Sequence, residues 1–256
     1  MARPNKLELR YANDGLVEVG VDEAGRGCLW GRMYVGAVVF SDDPVGAFFD
    51  HGAGLAAVRD SKKLSPRRRA IVRDYIHETA LDYSVAWVEP SEIDQYNVLQ
   101  ADLMAMHRAL DALVAPVQRI LVDGDAWRPW APLVEDGRRA AQPVEAHLVV
   151  EGDGKYLPIA AASILAKTAH DDWVQEVVAA HPEWDAQYGL SRNMGYGTAT
   201  HMQGLEQHGA TPLHRASFAP VRNVLGRAAP PLAGGGHRQR APKAQGWAGA
   251  TSEVLP

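Results

Sequence analysis

Residues 17–40 read VEVGVDEAGRGCLWGRMYVGAVVF, and the order of apolar, acidic and glycine-rich pieces within them decides the fold. VEVGVD at 17–22 and YVGAVVF at 34–40 are β-rich apolar runs, and the intervening EAGRGCLWG at 23–31 is too rich in glycine to continue either. The segment therefore reads as strand, irregular loop, strand. Gly25 and Gly27 flank Arg26, which is more glycine than a simple strand connection needs. Two glycines here let the backbone come close to a ligand, with amide N–H groups free for sugar or phosphate oxygens.

Working outward, SDDP at 41–44 ends the second run, and the Gly/Ala-rich stretch 46–57 reads as loop with a short helical piece. Ser65-Pro66 is a helix start, because serine caps and proline suits the first helical position. Ile71, Val72, Tyr75, Ile76 and Ala80 give that helix its buried side. DYSVAWVEP at 82–90 is a third strand, and Ser91 followed by Asp94 suggests a capped short helix. A longer helix over Val98 to Leu113 carries a stripe of Leu99, Leu103, Met106 and Leu110. RILVDG at 119–124 and EAHLVVEGD at 145–153 are a fourth and a fifth strand, separated by a Pro- and charge-rich surface insert around 126–143. Small and aliphatic residues dominate 157–180, as expected of a helix lying against the sheet. Loops and helices follow through 225, and from 228 onward the chain is poor in aliphatics and reads as a disordered tail.

Three early strands, then two more with helices between and after them, predict a mixed α/β sheet and not a doubly wound parallel one. The division expected is a main domain over 1–180, a helical C-terminal extension over 181–227 and the tail over 228–256. Neither GxGxxG nor GxxxxGK[ST] occurs in a setting that would bind a nucleotide cofactor.

Composition removes other classes. With 46% hydrophobic and 22% charged residues among 256, the chain can bury a full core. Nothing approaches the roughly 20 apolar residues of a membrane span. Cys28 is the sole cysteine, which excludes an internal disulfide and a thiolate zinc cage, and His107, His147 and His201 lack zinc-site spacing. A cytoplasmic or nuclear monomer that is not secreted is expected. The net charge of −5 argues against a polycation that wraps nucleic acid, so any phosphate-binding surface must be local. RDSKKLSPRRRAIVR at 59–73 offers it, with seven basic side chains against one acidic; its RRR portion also reads as a solvated helix face.

Asp22 and Glu23 close the first strand, Asp123 the fourth and Asp153 the fifth. Taken singly, each acid reads equally as a soluble turn residue. Should they converge, their repulsion calls for hard divalent ions such as Mg²⁺ or Mn²⁺. Two such ions serve phosphoryl displacement.

The motifs GVDEAGRG at 20–27, DSKKLS at 60–65, EIDQYNVLQAD at 92–102, VDG at 122–124, GD at 152–153, IAAASILAK at 159–167, GYGT at 195–198 and HRASF at 214–218 together resemble the ribonuclease HII family. The match runs from about Gly20 to Arg222. The resemblance implies a ribonuclease-H-like fold, a mixed five-stranded sheet flanked by helices with a small helical C-terminal extension. It implies hydrolysis of the RNA strand of RNA/DNA hybrids and incision 5′ of ribonucleotides embedded in duplex DNA, leaving 3′-hydroxyl and 5′-phosphate ends, as in ribonucleotide removal during replication and repair.

By the same resemblance Asp22, Glu23, Asp123 and Asp153 are the catalytic, metal-binding carboxylates for two Mg²⁺ or Mn²⁺ ions, with Asp22 bridging them. Gly25, Arg26 and Gly27 read the ribonucleotide 2′-hydroxyl, the group that separates RNA from DNA. Tyr196 stacks on the following deoxyribose, Lys62 and Lys63 contact phosphates, and Ser163 lies near the substrate backbone. Lys167 and Asp171 support the site, Lys167 through an ion pair with the acids, with direct catalysis by Asp171 as the other option. HRASF packs the extension.

Four departures qualify these expectations. Cys28-Leu29-Trp30-Gly31-Arg32 stands where the family has Pro-Leu-Ala-Gly-Pro; Cys28 is expected to be buried, and Trp30 and Arg32 either widen the substrate rim or repack the second strand. Glu151, His170 and Met194 stand where lysine, arginine and lysine are usual, which removes cations near the substrate. A nuclease confined to long hybrids and a catalytically weak nucleic-acid-binding protein are the alternatives.

Overall fold

The computed structural model describes residues 7–41, 58, 61, 64–134 and 137–228. Lys62, Lys63 and the proposed tail beyond 228 lie outside the described residues. Five strands form one sheet: β1 (Glu18–Ala24), β2 (Met33–Val39), β3 (Asp82–Val88), β4 (Arg119–Asp123) and β5 (Glu145–Val149), in the order β3-β2-β1-β4-β5. β2 pairs antiparallel with both β1 and β3, whereas β4 pairs parallel with both β1 and β5. The mixed sheet expected from the order of elements is therefore present.

Helices cover both faces. α1 (Pro66–Thr79), α2 (Pro90–Tyr96) and α3 (Val98–Asp111) precede β4; α4 (Leu157–Ala180), α5 (Pro182–Tyr188), α6 (Leu190–Asn193), α7 (Ala199–His208) and α8 (Ala219–Ala228) follow β5. Side chains alternate across a strand. Val19, Val21, Val35, Ala37 and Val39 thus join Ala105, Met106 and Leu110 of α3 on one face. Val38 and Phe40 meet Ala160, Ala161 and Ile164 of α4 on the other. Each such valine or isoleucine stabilises the fold by about 1.5–3 kcal/mol on leaving water.

α4 lies so close to the sheet that a Cβ on Gly20 would stand 2.1 Å from the Pro158 carbonyl carbon, and one on Gly36 2.3 Å from the Ala162 oxygen. These two glycines set the depth of the helix that carries Ser163. Beyond the sheet, Val174 and Val178 of α4 pack with Tyr188, Leu190 and Trp30. Trp30 is fully buried and its indole N–H donates to Thr211 Oγ1 at 3.0 Å, so it docks the C-terminal helices and is no part of a rim.

Two local expectations are corrected. β3 ends at Val88, because Pro90 has no N–H for a ladder and opens α2. The cap of α2 is a Glu89/Glu92 capping box, not Ser91 with Asp94. Asp94 instead accepts hydrogen bonds from the Ala216 and Ser217 N–H groups and the Ser217 hydroxyl, at 2.6–2.9 Å, and ties HRASF to α2. In the α3 stripe, Leu99 is exposed while Leu103, Met106 and Leu110 are buried together with Asp102.

Candidate functional site

Alternation along β1 sends Asp22 and Glu23 to opposite faces. Asp22 is 4% exposed and points to α4, where the Ser163 hydroxyl bonds its carboxylate; Oδ1 also accepts the Glu23 N–H at 2.6 Å. Ser163 is itself buried, with its hydroxyl 3.0 Å from that of Ser61. It sits beneath Asp22, so its visible contacts are with the acid and with Ser61. Asp123 ends β4 beside Asp22, since Val21 and Val122 are paired in parallel register, and its Oδ1 accepts the Gly152 N–H at 2.7 Å. Asp153 does not close β5: the strand stops at Val149, and Asp153 lies in a 3₁₀ turn over Gly152–Gly154. Glu151, exposed and in left-handed backbone geometry with φ 55°, makes the bend that brings Gly152 to Asp123.

These acids work against one another. Burial pushes the Asp22 carboxyl well above the ordinary range, the charges of Glu23 and Asp123 push it further, and Ser163 opposes them. Glu23 is raised chiefly by burial, against the pull of Arg26, with Asp123 repelling it. Among the described residues, no three His, Cys, Asp or Glu side chains are drawn together as a ready cage for an ion. An all-oxygen donor set in which Asp22 and Glu23 are raised fits a hard divalent ion.

The glycine loop is fixed from below by Arg215, which is fully buried. Its guanidinium donates to the carbonyls of Gly31, Arg26 and Arg32 at 3.0, 2.9 and 3.0 Å. Gly25 has φ 83°, and a Cβ there would stand 2.6 Å from the His170 ring, so glycine is required internally. At Gly27 the nearest atom to an added Cβ is Tyr196 Cε1 at 3.9 Å. Among the described residues no close contact and no left-handed backbone angle demands glycine at 27.

Tyr196 is brought to this loop. Its backbone pairs with Cys28, Gly195 accepts the Leu29 N–H at 2.9 Å, and its half-exposed ring carries a hydroxyl at the Gly25 amide. The Tyr196 carbonyl lies 3.0 Å from His201 Nδ1; His201 Nε2 is 3.1 Å from His214 Nε2; and His214 Nδ1 accepts the Thr211 N–H at 2.9 Å. That last donor fixes the direction of the chain: both histidines are neutral, and each passes one N–H toward Tyr196. Burial holds His214 down to about 3 and lowers His201 as well.

Lys167 and Asp171 form a separate group. Lys167 Nζ and Arg69 Nη2 each lie 2.7 Å from Asp171, on its two oxygens, so the lysine pairs with Asp171 and not with the Asp22 cluster. Arg69 is buried, and Arg73 pairs with Asp74 and Asp172, so neither belongs to a free phosphate-facing patch; Arg67 and Arg68 are exposed. His170, expected to mark a lost surface cation, has no exposed surface and is kept neutral by burial against the pull of Asp171. Its Nε2 lies 3.7 Å from Cys28 Sγ, and Cys28 Sγ lies 3.3 Å from the Met194 carbonyl. Three departures from the family pattern are thus one contact group inside the protein. Cys28 is buried as expected, with its thiol pushed up to about 12 by burial. Arg32 is held by Glu89 at 2.8 Å between the rings of Trp87 and Trp173.

The sequence offers Asp94 only as a helix cap and singles out neither Asp102 nor Arg215, although all three stand within the motifs that carry the resemblance. Asp102 is 1% exposed on α3, 3.3 Å from Arg26 Nη1. Burial and then Glu23 push it up to about 8, against Arg26. A lone acid on the apolar face of a helix was its available signal.

Comparison with known proteins agrees with this geometry. A family model described as Ribonuclease HII matches residues 19–221. Ribonuclease HII of Bacteroides thetaiotaomicron is 39% identical over 218 residues, covering 85% of this chain and 95% of the relative. That of Neisseria meningitidis serogroup B is 39% identical over 214 residues, covering 84% and 98%. The crystal structure of ribonuclease H2 from Pyrococcus horikoshii superposes with a TM-score of 0.64 at 26% identity, covering 83% of this chain and 98% of that one. The Mn²⁺ complex of Bst-RNase HIII shares the fold at a TM-score of 0.61 and 19% identity, over 84% of this chain and 70% of its own.

Proposed function

From the premise that the chain belongs to the ribonuclease HII family, whose members cut the RNA strand of RNA/DNA hybrids, we propose that it also incises duplex DNA 5′ of an embedded ribonucleotide. The observation that carries this reading is that β1 delivers both halves of the site: Asp22 and Glu23 within the strand, and Gly25 to Gly27 directly after it, with Tyr196 packed on the loop.

Asp22, Glu23, Asp123 and Asp153 would hold two Mg²⁺ or Mn²⁺ ions. When bound, such ions supply activation of water and charge stabilisation at the phosphate. The protein's own part is placement. Ser163 and the Glu23 N–H hold the Asp22 carboxylate in place, and the Gly152 N–H holds that of Asp123, for the ions these groups would bind. The open side of Gly27 lets the backbone approach the 2′-hydroxyl, and the exposed part of Tyr196 meets the sugar that follows. Lys62 and Lys63 would contact phosphates. Asp171, neutralised by Lys167 and Arg69, braces α4 against α1.

The test is cleavage of a labelled RNA/DNA hybrid, a DNA duplex with one ribonucleotide and an all-DNA duplex, with Mg²⁺, with Mn²⁺ and in EDTA. Metal-dependent cutting of the first two alone is expected. Cutting of the hybrid only would instead make this a nuclease that does not read single junctions. Binding without any cutting would make it a weakened relative that retains only the groove. Among the described residues no helix is long and apolar enough to cross a membrane.

A further inference from the structure

Arg26 is held at both ends. Its carbonyl accepts a hydrogen bond from Arg215 at 2.9 Å, and its guanidinium Nη1 stands 3.3 Å from Asp102 Oδ2 and 3.6 Å from Glu23 Oε1. Asp102 is a costly anchor. It is 1% exposed, it sits on the apolar side of α3 between Ala101 and Leu103, and its second oxygen, Oδ1, has no hydrogen-bond partner. A buried carboxyl group with an unpaired oxygen weakens a fold relative to an apolar side chain of similar size. Packing alone therefore gives no reason for an acid at this position.

Its neighbours give one. Arginine has many rotamers, and the Arg26 side chain is 41% exposed, so without an anchor it would sample many directions. Asp102, immobile on a helix packed against the sheet, selects the direction that places the guanidinium beside Glu23.

We propose that Asp102 is a positioning residue for the reading loop: it anchors Arg26 from α3 and thereby sets how strongly the protein prefers a ribonucleotide over an all-DNA site. The inference rests on the reading of residues 25–27 given above. Asp102 touches no substrate in this scheme and acts only through Arg26. Its effect should therefore disappear when the Arg26 side chain is gone.

The experiment is a double-mutant cycle with Asp102→Ala, Arg26→Ala and the pair. It is read as equilibrium binding of a one-ribonucleotide duplex against an all-DNA duplex in EDTA at low salt, and as kcat and KM on the first duplex with Mg²⁺. Thermal unfolding confirms that each variant is folded. Asp102→Ala is expected to reduce the ribonucleotide preference about tenfold, with no further loss in the Arg26→Ala background. Asp102→Asn, which keeps an acceptor oxygen in place, should recover most of the preference. An unchanged preference in Asp102→Ala, or a loss of equal size with and without the Arg26 side chain, would overturn the proposal while leaving the activity assignment intact. A wild-type protein without any ribonucleotide preference would overturn the loop reading and this inference together.

Discussion

The acidic end of the site and its reading end are built on opposite principles. At the acidic end Asp22, Glu23 and Asp123 are placed by strands that the core holds rigid, and the charges of Glu23 and Asp123 make Asp22 harder to ionise, as that of Asp123 does for Glu23. At the reading end, Asp102 Oδ1 and Arg32 Nε apart, the polar groups under the loop are hydrogen-bonded. Arg215 spends three donors on three carbonyls, Asp94 accepts from two N–H groups and a hydroxyl, and Thr211, His214 and His201 hand one N–H after another to the Tyr196 carbonyl. The first end stores unrelieved repulsion that a cation can discharge; the second stores order. Substitutions at the acids should therefore cost function without cost to the fold, and substitutions under the loop should cost both.

The sharpest division is expected at Asp22→Asn. Hybrid cleavage should fall by about 10²- to 10³-fold, as when a charge-stabilising group is removed from an active site. The melting temperature should stay level or rise, because a buried like charge is gone. A destabilised variant that still cuts would break the comparison.

Arg215→Met should do the reverse. It leaves three buried carbonyls without their donor, a loss of about 3 kcal/mol. For a chain of this size that is a fall of about 6–12 °C in melting temperature, measurable by calorimetry. Cleavage should decline with it, since the carbonyl of Arg26 is one of the three.

The two loop glycines refine the contrast within a few ångströms. Gly25→Ala meets the His170 ring and an unfavourable φ, and should destabilise by about 1–3 kcal/mol. Gly27→Ala meets nothing closer than 3.9 Å and should change stability by less than about 0.5 kcal/mol while weakening ribonucleotide preference. Equal effects on unfolding would remove the argument that Gly27 is kept open for a ligand.

A pH dependence probes the support beneath Tyr196 without changing the loop itself. His214 has a folded pKa near 3 against an ordinary 6.5, so the folded state favours the neutral ring. Its stabilising contribution is complete above 6.5 and is lost as the pH falls toward 3. Unfolding between pH 6.5 and 5 should show a loss of about 1–2 kcal/mol, and the slope should flatten in His214→Asn. A slope unchanged by that substitution would assign the acid sensitivity elsewhere.

Which parts of this were readable in advance follows from the same contrast. The strands and the long helix α4 announce themselves through apolar period and glycine punctuation, so β1, β4 and α4 and the acids on the two strands were placed correctly. Asp153 was assigned to a strand end because its 3₁₀ turn depends on the left-handed backbone at Glu151, which composition does not signal. Arg69 reads as a surface cation and His170 as the loss of one, yet both are buried, as is Arg215 within the packing motif HRASF. Charge in a sequence carries no sign of burial when the partner lies far along the chain, as Asp171 does for Arg69 and the 26–32 carbonyls do for Arg215. The contact of Ser163 with Asp22 is hidden in the sequence for the same reason: only the fold puts its hydroxyl under that carboxylate.

The most direct measurement is to map the cut in an end-labelled DNA duplex carrying a single ribonucleotide, beside the same duplex with that one 2′-hydroxyl removed, in Mg²⁺. Incision at one position, 5′ of the ribonucleotide, that vanishes with the hydroxyl is the result expected if the loop reads and the acids cut. Incision that is indifferent to the hydroxyl, or absent while long hybrids are cleaved, would contradict the joint action of the two ends.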